Sequence, residues 1–185
     1  MKTRWLPPVI AIVSVLTMNF VATSSHAFPS GSKSPEEKAD QMTRDATAAY
    51  DLGVEHQRRA DTLLAHSDST KASKEFKVAL KEYEKAVKLN PNFPEALSNL
   101  GYCRRNLGDY AKALEAYDKA LKLKPDFAEA MEYRGVAYVK LGRMNDAIAD
   151  YIRLKTVDST EAAELWEVIQ KAQKTMGGQA AEPQR

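Results

Sequence analysis

His56, His66 and Cys103 are the side chains whose types could support metal, acid–base or redox chemistry, and their spacing supports none of it. The two histidines stand ten residues apart in a helical stretch, a rotation of about 280°, so they do not share a face. Histidines that bind a metal from one helix need closer spacing on one face, and neither has a cysteine nearby. Both read as solvated helix residues, and no metal site is expected. Cys103 is the single cysteine, which excludes an internal disulfide framework and a cysteine-based zinc cluster. Its counterpart 34 residues on is Ala137, so it reads as a small buried core residue. Carboxylates alternate with lysines, as in Lys81-Glu82-Tyr83-Glu84-Lys85, the pattern of a solvated, salt-bridged helix face. There is no phosphate-cradling Gly loop, nucleophile elbow or haem-attachment pair. No catalytic residue, no cofactor and no enzymatic activity are expected.

The elements that carry these residues belong to a chain of 185 residues with 27 basic and 25 acidic side chains, 44% apolar and 28% charged. That is one domain's length, long enough to bury a core without staples. Met1–Trp5 holds Lys2 and Arg4, residues 7–22 run apolar, and Ser25-His26-Ala27 follows with small residues at the first and third places. The apolar run falls short of a ~20-residue membrane span. Positive start, apolar middle and small-x-small end compose a secretory signal peptide. Cleavage is expected after Ala27, giving a periplasmic or secreted chain that begins at Phe28 and has no stable membrane insertion. An uncleaved N-terminal anchor is the alternative. Without Lys2 and Arg4 the chain holds 25 bases against 25 acids. The basic patch that nucleic-acid binding needs is missing, and no nucleic-acid partner is expected.

Residues 76–158 repeat at an offset of 34. Ala79-Leu80 returns as Ala113-Leu114 and Ala147-Ile148, Tyr83 as Tyr117 and Tyr151, Pro91 as Pro125, and Gly101 and Gly108 as Gly135 and Gly142. A period of this size means stacked supersecondary units. Each unit reads as two helices, 94–107 and 110–123 in the first full one, with Gly108 as the left-handed stop between them. Pro125 bars continuation of the second helix. Asn92-x-x-Glu95 and Asp126-x-x-Glu129 are capping-box-like starts. Small residues at Gly101, Ala113, Gly135 and Ala147 let the two helices approach, with Tyr117 and Tyr151 filling the gap. The first unit is stretched: its Leu-Gly pair stands at Leu52-Gly53, 14 residues further upstream than the period requires. One long helix from Pro35 to about His66 and a lengthened partner from Lys71 to Leu89 are expected, with a turn at 67–70. Asp158-Ser-Thr-Glu161 opens a last amphipathic helix to about Met176, through Ala162, Leu165, Trp166, Ile169 and Ala172, expected to cap the stack.

At Leu100-Gly101, Gly108, Tyr110, Ala113, Tyr117, Ala120 and Pro125 the chain resembles the tetratricopeptide repeat family. Gly135, Tyr138, Gly142, Ala147 and Tyr151 continue the match, which departs at Arg134, Met144, Leu154 and Ser159. The resemblance implies an all-α fold: a short right-handed α-solenoid of about three helix-turn-helix repeats with a lengthened first repeat and a C-terminal capping helix. The repeats are about 35–91, 94–127 and 128–158, with the cap at 159–176. The helical domain spans 34–176, between a flexible N-terminus at 28–33 and a flexible tail at 177–185.

The resemblance also implies that the first helix of each repeat lines a concave groove for a peptide or helix of a partner protein. The groove positions are Tyr50, Gln57 and Arg58, then Ser98, Asn99, Tyr102, Arg105 and Asn106, then Glu129, Glu132, Tyr133, Val136, Val139 and Lys140. A branch of the family grips acidic chaperone tails with a clamp of Lys, Asn and Arg. Here Asn99 fits that clamp, while Tyr50 and Val54 stand where it wants Lys/Asn, and Glu129 and Tyr133 where it wants Lys/Arg. An amphipathic or mixed-charge partner is expected instead, probed in the cell envelope by an exported scaffold or adaptor. Self-assembly as a homodimer, through the long first helix or the Trp166 helix, is the alternative.

Overall fold

The computed structural model describes residues 33–179. The expected signal peptide at 1–27, residues 28–32 and the end of the tail at 180–185 lie outside the described residues. Seven helices and no strands occur among the described residues. They are α1 (Pro35–Ala65), α2 (Ser69–Leu89), α3 (Pro94–Asn106), α4 (Tyr110–Leu123), α5 (Ala128–Lys140), α6 (Met144–Leu154) and α7 (Ser159–Gln179). None of them is long and apolar enough to cross a membrane. α7 continues through Gly177 and Gly178, where the sequence led us to expect a flexible tail.

The helices pack as successive pairs, α1 with α2, α3 with α4, and α5 with α6. Each second helix then meets the first helix of the next pair. The first helices also touch one another in the series α1–α3, α3–α5 and α5–α7. α7 therefore stands where the first helix of a fourth repeat would stand. This is an all-α helical repeat fold.

Three turns share one hydrogen-bond pattern. Asp68 N donates to Leu63 O, Asp109 N to Arg104 O and Arg143 N to Tyr138 O, each at 2.9 Å. Such bonds satisfy the carbonyls that a helix end leaves over. The pattern requires a left-handed residue just before the donor. Gly108 (φ 84°) and Gly142 (φ 71°) supply it, and in the first turn Ser67 (φ 60°) does. The aspartates that follow cap the next helices: Asp68 accepts from Lys71 N at 3.1 Å and Asp109 from Lys112 N at 3.4 Å. Asp158 caps α7 by accepting from Thr160 N at 2.8 Å and Glu161 N at 3.2 Å.

The expected capping boxes at Asn92 and Asp126 do not form. The cap positions of α3 and α5 fall one residue later, on Phe93 and Phe127, which have no side-chain cap. Glu95 turns to Lys124 and Glu129 to the Tyr133 hydroxyl instead.

The glycine–tyrosine contact explains the stretched repeat. A Cβ on Gly101 would lie 2.6 Å from Tyr117 Cε1, and a Cβ on Gly53 would lie 2.6 Å from Tyr83 Cε1. Gly53 and Tyr83 thus make the contact of Gly101 and Tyr117, although 30 rather than 16 residues separate them. α1 continues twelve residues past Gly53, where α3 continues five past Gly101. α2 begins fourteen residues before Tyr83, where α4 begins seven before Tyr117. Both helices are lengthened equally, by seven residues or about two turns, so the apolar faces stay in register.

In the third repeat the expected Tyr151 contact is replaced. A Cβ on Gly135 would lie 2.5 Å from Leu165 Cδ2 of α7, while Tyr151 stacks on Trp166 with ring centroids 4.7 Å apart. Arg134, at a position that is apolar in the repeats it resembles, bonds Asp150 through Nε at 2.9 Å and Nη2 at 2.6 Å. Its Nη1 reaches Asp118 at 2.7 Å.

Candidate partner-binding face

α1, α3 and α5 are joined along one face by a row of aromatic and polar side chains. Tyr50 of α1 packs on Phe93, ring centroids 4.8 Å apart, and its hydroxyl accepts a long 3.4 Å hydrogen bond from Asn99 Nδ2 of α3. The Tyr102 hydroxyl of α3 donates to Asp61 Oδ1 of α1 at 2.8 Å. The Tyr102 ring lies 4.9 Å from that of Tyr133 on α5. Arg105 holds its guanidinium carbon 4.9 Å from the Tyr102 ring centre and 5.2 Å from that of Tyr133. Such cation–π contacts are stronger where water is excluded. Tyr133 in turn donates to Glu129 Oε1 at 3.0 Å. Burial pushes the Tyr102, Tyr133 and Tyr83 hydroxyls well above the ordinary phenol range, so they act as donors at any physiological pH. Burial also raises the Asp61 carboxyl, against the hydrogen bond from Tyr102.

The proposed groove positions divide into two groups. Tyr50, Asn99, Tyr102, Arg105, Glu129 and Tyr133 belong to this row, and Asn106 is exposed beside it, its side-chain amide donating to Tyr102 O at 3.0 Å. Gln57 accepts from the Tyr83 hydroxyl at 2.8 Å, which ties α1 to α2. Ser98, Val136, Val139 and Arg58 need correction. Ser98 is fully buried, because α3 is enclosed by neighbours on both sides, and it has no surface to offer. Val136 and Val139 pack in the core cluster that includes Leu165 and Ile169 of α7, so only the edge of the expected apolar strip shows, in the cavity between α5 and α7. Arg58 lines a pocket between α1 and α2 with Arg59, Thr62, Leu63 and Glu75, apart from α3. Lys140 is exposed and lies with Val136, Val139, Val168 and Lys171 in a cavity of about 570 Å³ between α5 and α7.

Glu132 is the buried acidic residue of this face: only 8% of it is exposed. Burial, with Glu161, Glu164 and Glu129 adding to it and Arg105 opposing, pushes its carboxyl up to about 7. Sequence reading missed Asp61, Glu161 and Glu164 as members of this face. The signal for Asp61 was its position three turns after Tyr50 on the lengthened α1. For the two glutamates it was the standing of α7 as one more first helix.

The residues that could have carried chemistry are otherwise engaged. His56 is not simply solvated, because its Nδ1 lies 2.7 Å from Glu75 Oε2 across the α1–α2 contact. His66 Nδ1 lies 2.7 Å from Thr62 O. Cys103 is buried, and burial pushes its thiol far up, which makes it a poor nucleophile. In the Lys81–Lys85 run, Glu84 pairs with Arg104 of α3 at 3.3 Å rather than with a lysine of its own helix. Trp166, stacked on Tyr151, packs against the α5–α7 core.

Comparison with known proteins gives two family matches, Tetratricopeptide repeat at residues 94–127 and TPR repeat at residues 71–104. Among solved structures the chain is similar to the TPR2B domain of yeast Sti1 in its pHsp70 complex. The identity is 20% over 71% of this chain and 98% of that one, with a TM-score of 0.57. It is also similar to the Sgt2 TPR domain from Aspergillus fumigatus, at 19% identity over 72% of this chain and 85% of that one, TM-score 0.53. The first TPR domain of human RPAP3 gives 19%, 69%, 96% and 0.53 in the same order. At these identities the likeness is one of fold. No curated protein matches the sequence.

Proposed function

The chain is a tetratricopeptide-repeat protein, and on that basis we propose that it is a non-enzymatic interaction module holding a peptide or helix of a partner protein across α1, α3, α5 and α7. The observation that carries this reading is Arg105, half-buried against the Tyr102 and Tyr133 rings on the first-helix face. Arg and Tyr are the residue types on which binding energy concentrates, in positions ringed by groups that exclude water. A rigid row also loses little side-chain entropy on binding. The yeast domain that resembles this chain was solved with an Hsp70 partner. An acidic chaperone tail does not suit the present face, where Glu129, Glu132, Glu161 and Glu164 would repel it.

The proposed setting is the periplasm or cell exterior, with the partner drawn from the cell envelope. Lys2, Arg4, the apolar run and Ser25-His26-Ala27 support export. The chain would serve there as a scaffold or adaptor.

Cross-linked affinity capture from native extract tests the reading, comparing the protein with a Tyr102→Ala/Arg105→Ala variant shown by circular dichroism to be folded. A polypeptide held by the parent and lost by the variant is the expected result. Equal capture by both baits would move the binding surface off this face.

A further inference from the structure

Glu132 lies on α5 between α3 and α7. It is nine-tenths buried and makes no hydrogen bond or ion pair with any described residue. A buried carboxylate without a partner is costly. This one forms the wall of a cavity of about 450 Å³ that is completed by Glu164, Glu167, Val168 and Lys171 of α7. Glu129 on its own helix, with Glu161 and Glu164 on α7, deepens the negative potential at Glu132, and Arg105 offsets part of it. Arg105 lies over the Tyr102 and Tyr133 rings, and its buried Nε has no hydrogen-bond partner.

We propose that this cavity receives a lysine or arginine side chain of the bound partner polypeptide, with Glu132 as the buried anion that meets it. The inference rests on the peptide-binding reading above and specifies the chemistry of its partner. A long basic side chain fits because it is amphipathic: the methylene stem packs on Val168 while the charged head reaches the carboxylates. A metal ion fits poorly, since no group of three or more metal-ligating side chains comes together among the described residues. The incoming cation adds its charge to that of Arg105 beside Glu132. It therefore lowers the carboxyl from about 7 and expels a proton near neutral pH.

The test is selection of a random dodecapeptide phage library on the full chain. Calorimetry of the strongest binder follows, at pH 7 in two buffers of different ionisation enthalpy. Selected peptides are expected to carry Lys or Arg. Glu132→Gln should weaken binding about ten- to a hundredfold, as for loss of a charge-assisted bond, and should abolish proton release. Glu164→Gln, on the exposed side of α7, should weaken binding several-fold without risk to folding. Circular dichroism checks each variant. Peptides that lose affinity with Tyr133→Ala but carry no basic residue, or that bind Glu132→Gln equally well, would overturn the cation site and leave the face intact. Peptides indifferent to all three variants, or no selected peptide at all, would overturn both.

Discussion

Leu165 of α7 fills the space above Gly135 of α5 so closely that a Cβ on the glycine would lie 2.5 Å from Leu165 Cδ2. The last helix is thereby part of the stack, taking the gap-filling place that Tyr117 takes above Gly101. Leu165 is fully buried. Leu165→Ala is expected to cost about 2–5 kcal/mol, the range for a leucine cut back in a core. Urea unfolding followed by circular dichroism measures it. A cost below about 1 kcal/mol would mean that α7 docks only loosely.

Arg134 and Asp150 form a buried ion pair, with side chains 16% and 6% exposed. Asp150→Leu leaves Arg134 with the exposed Asp118 as its remaining partner, so it should cost about 1–3 kcal/mol. Replacing both, as Arg134→Met/Asp150→Leu, should restore most of that loss. Denaturation of Arg134→Met, Asp150→Leu and the double variant closes the cycle.

Ser67 occupies the left-handed position that Gly108 and Gly142 hold in the other turns. A side chain there costs on the order of 1 kcal/mol relative to glycine. Ser67→Gly should raise stability by about that amount, less the added freedom of glycine in the unfolded chain. The same denaturation assay reads it.

The raised Glu132 carboxyl makes stability depend on pH in a defined direction. Between the ordinary glutamate value and about 7 the folded chain holds a proton that the unfolded chain has released. Stability from this group is therefore present at low pH and lost as pH rises through that window. The loss amounts to roughly 3 kcal/mol. Arg105 of α3, the Tyr117 hydroxyl of α4, Glu129 of α5, and Glu161, Glu164, Glu167 and Lys171 of α7 surround the group. Glu132→Gln should flatten the decline, and urea midpoints at pH 5 and pH 8 should show it.

Helix existence, order and the equal-period contacts were legible because small residues and aromatics recur at fixed spacing. Gly53 could be matched to Gly101 from the Leu-Gly pair alone. Three-dimensional neighbours were not legible. The period put Tyr151 above Gly135, but the Arg134–Asp150 pair takes up the α5–α6 contact and Leu165 takes the gap. Ser98, Val136 and Val139 carry groove positions by register, yet enclosure of α3 and the docking of α7 bury them. Capping was misplaced by one residue for α3 and α5, because the turn chain reaches the cap position at Phe93 and Phe127. Charge alternation suggested pairing within a helix, whereas Glu84, Arg134 and Lys124 pair between helices.

The most direct measurement is photo-cross-linking in the native setting. A benzoylphenylalanine is placed in turn at Asn106 on α3, at Glu164 on α7 and at Ile152, which is 61% exposed on α6. Adducts to a common polypeptide from positions 106 and 164, with none from 152, are expected of a partner held along the first helices. Adducts from 152 without any from 106 or 164 would contradict it.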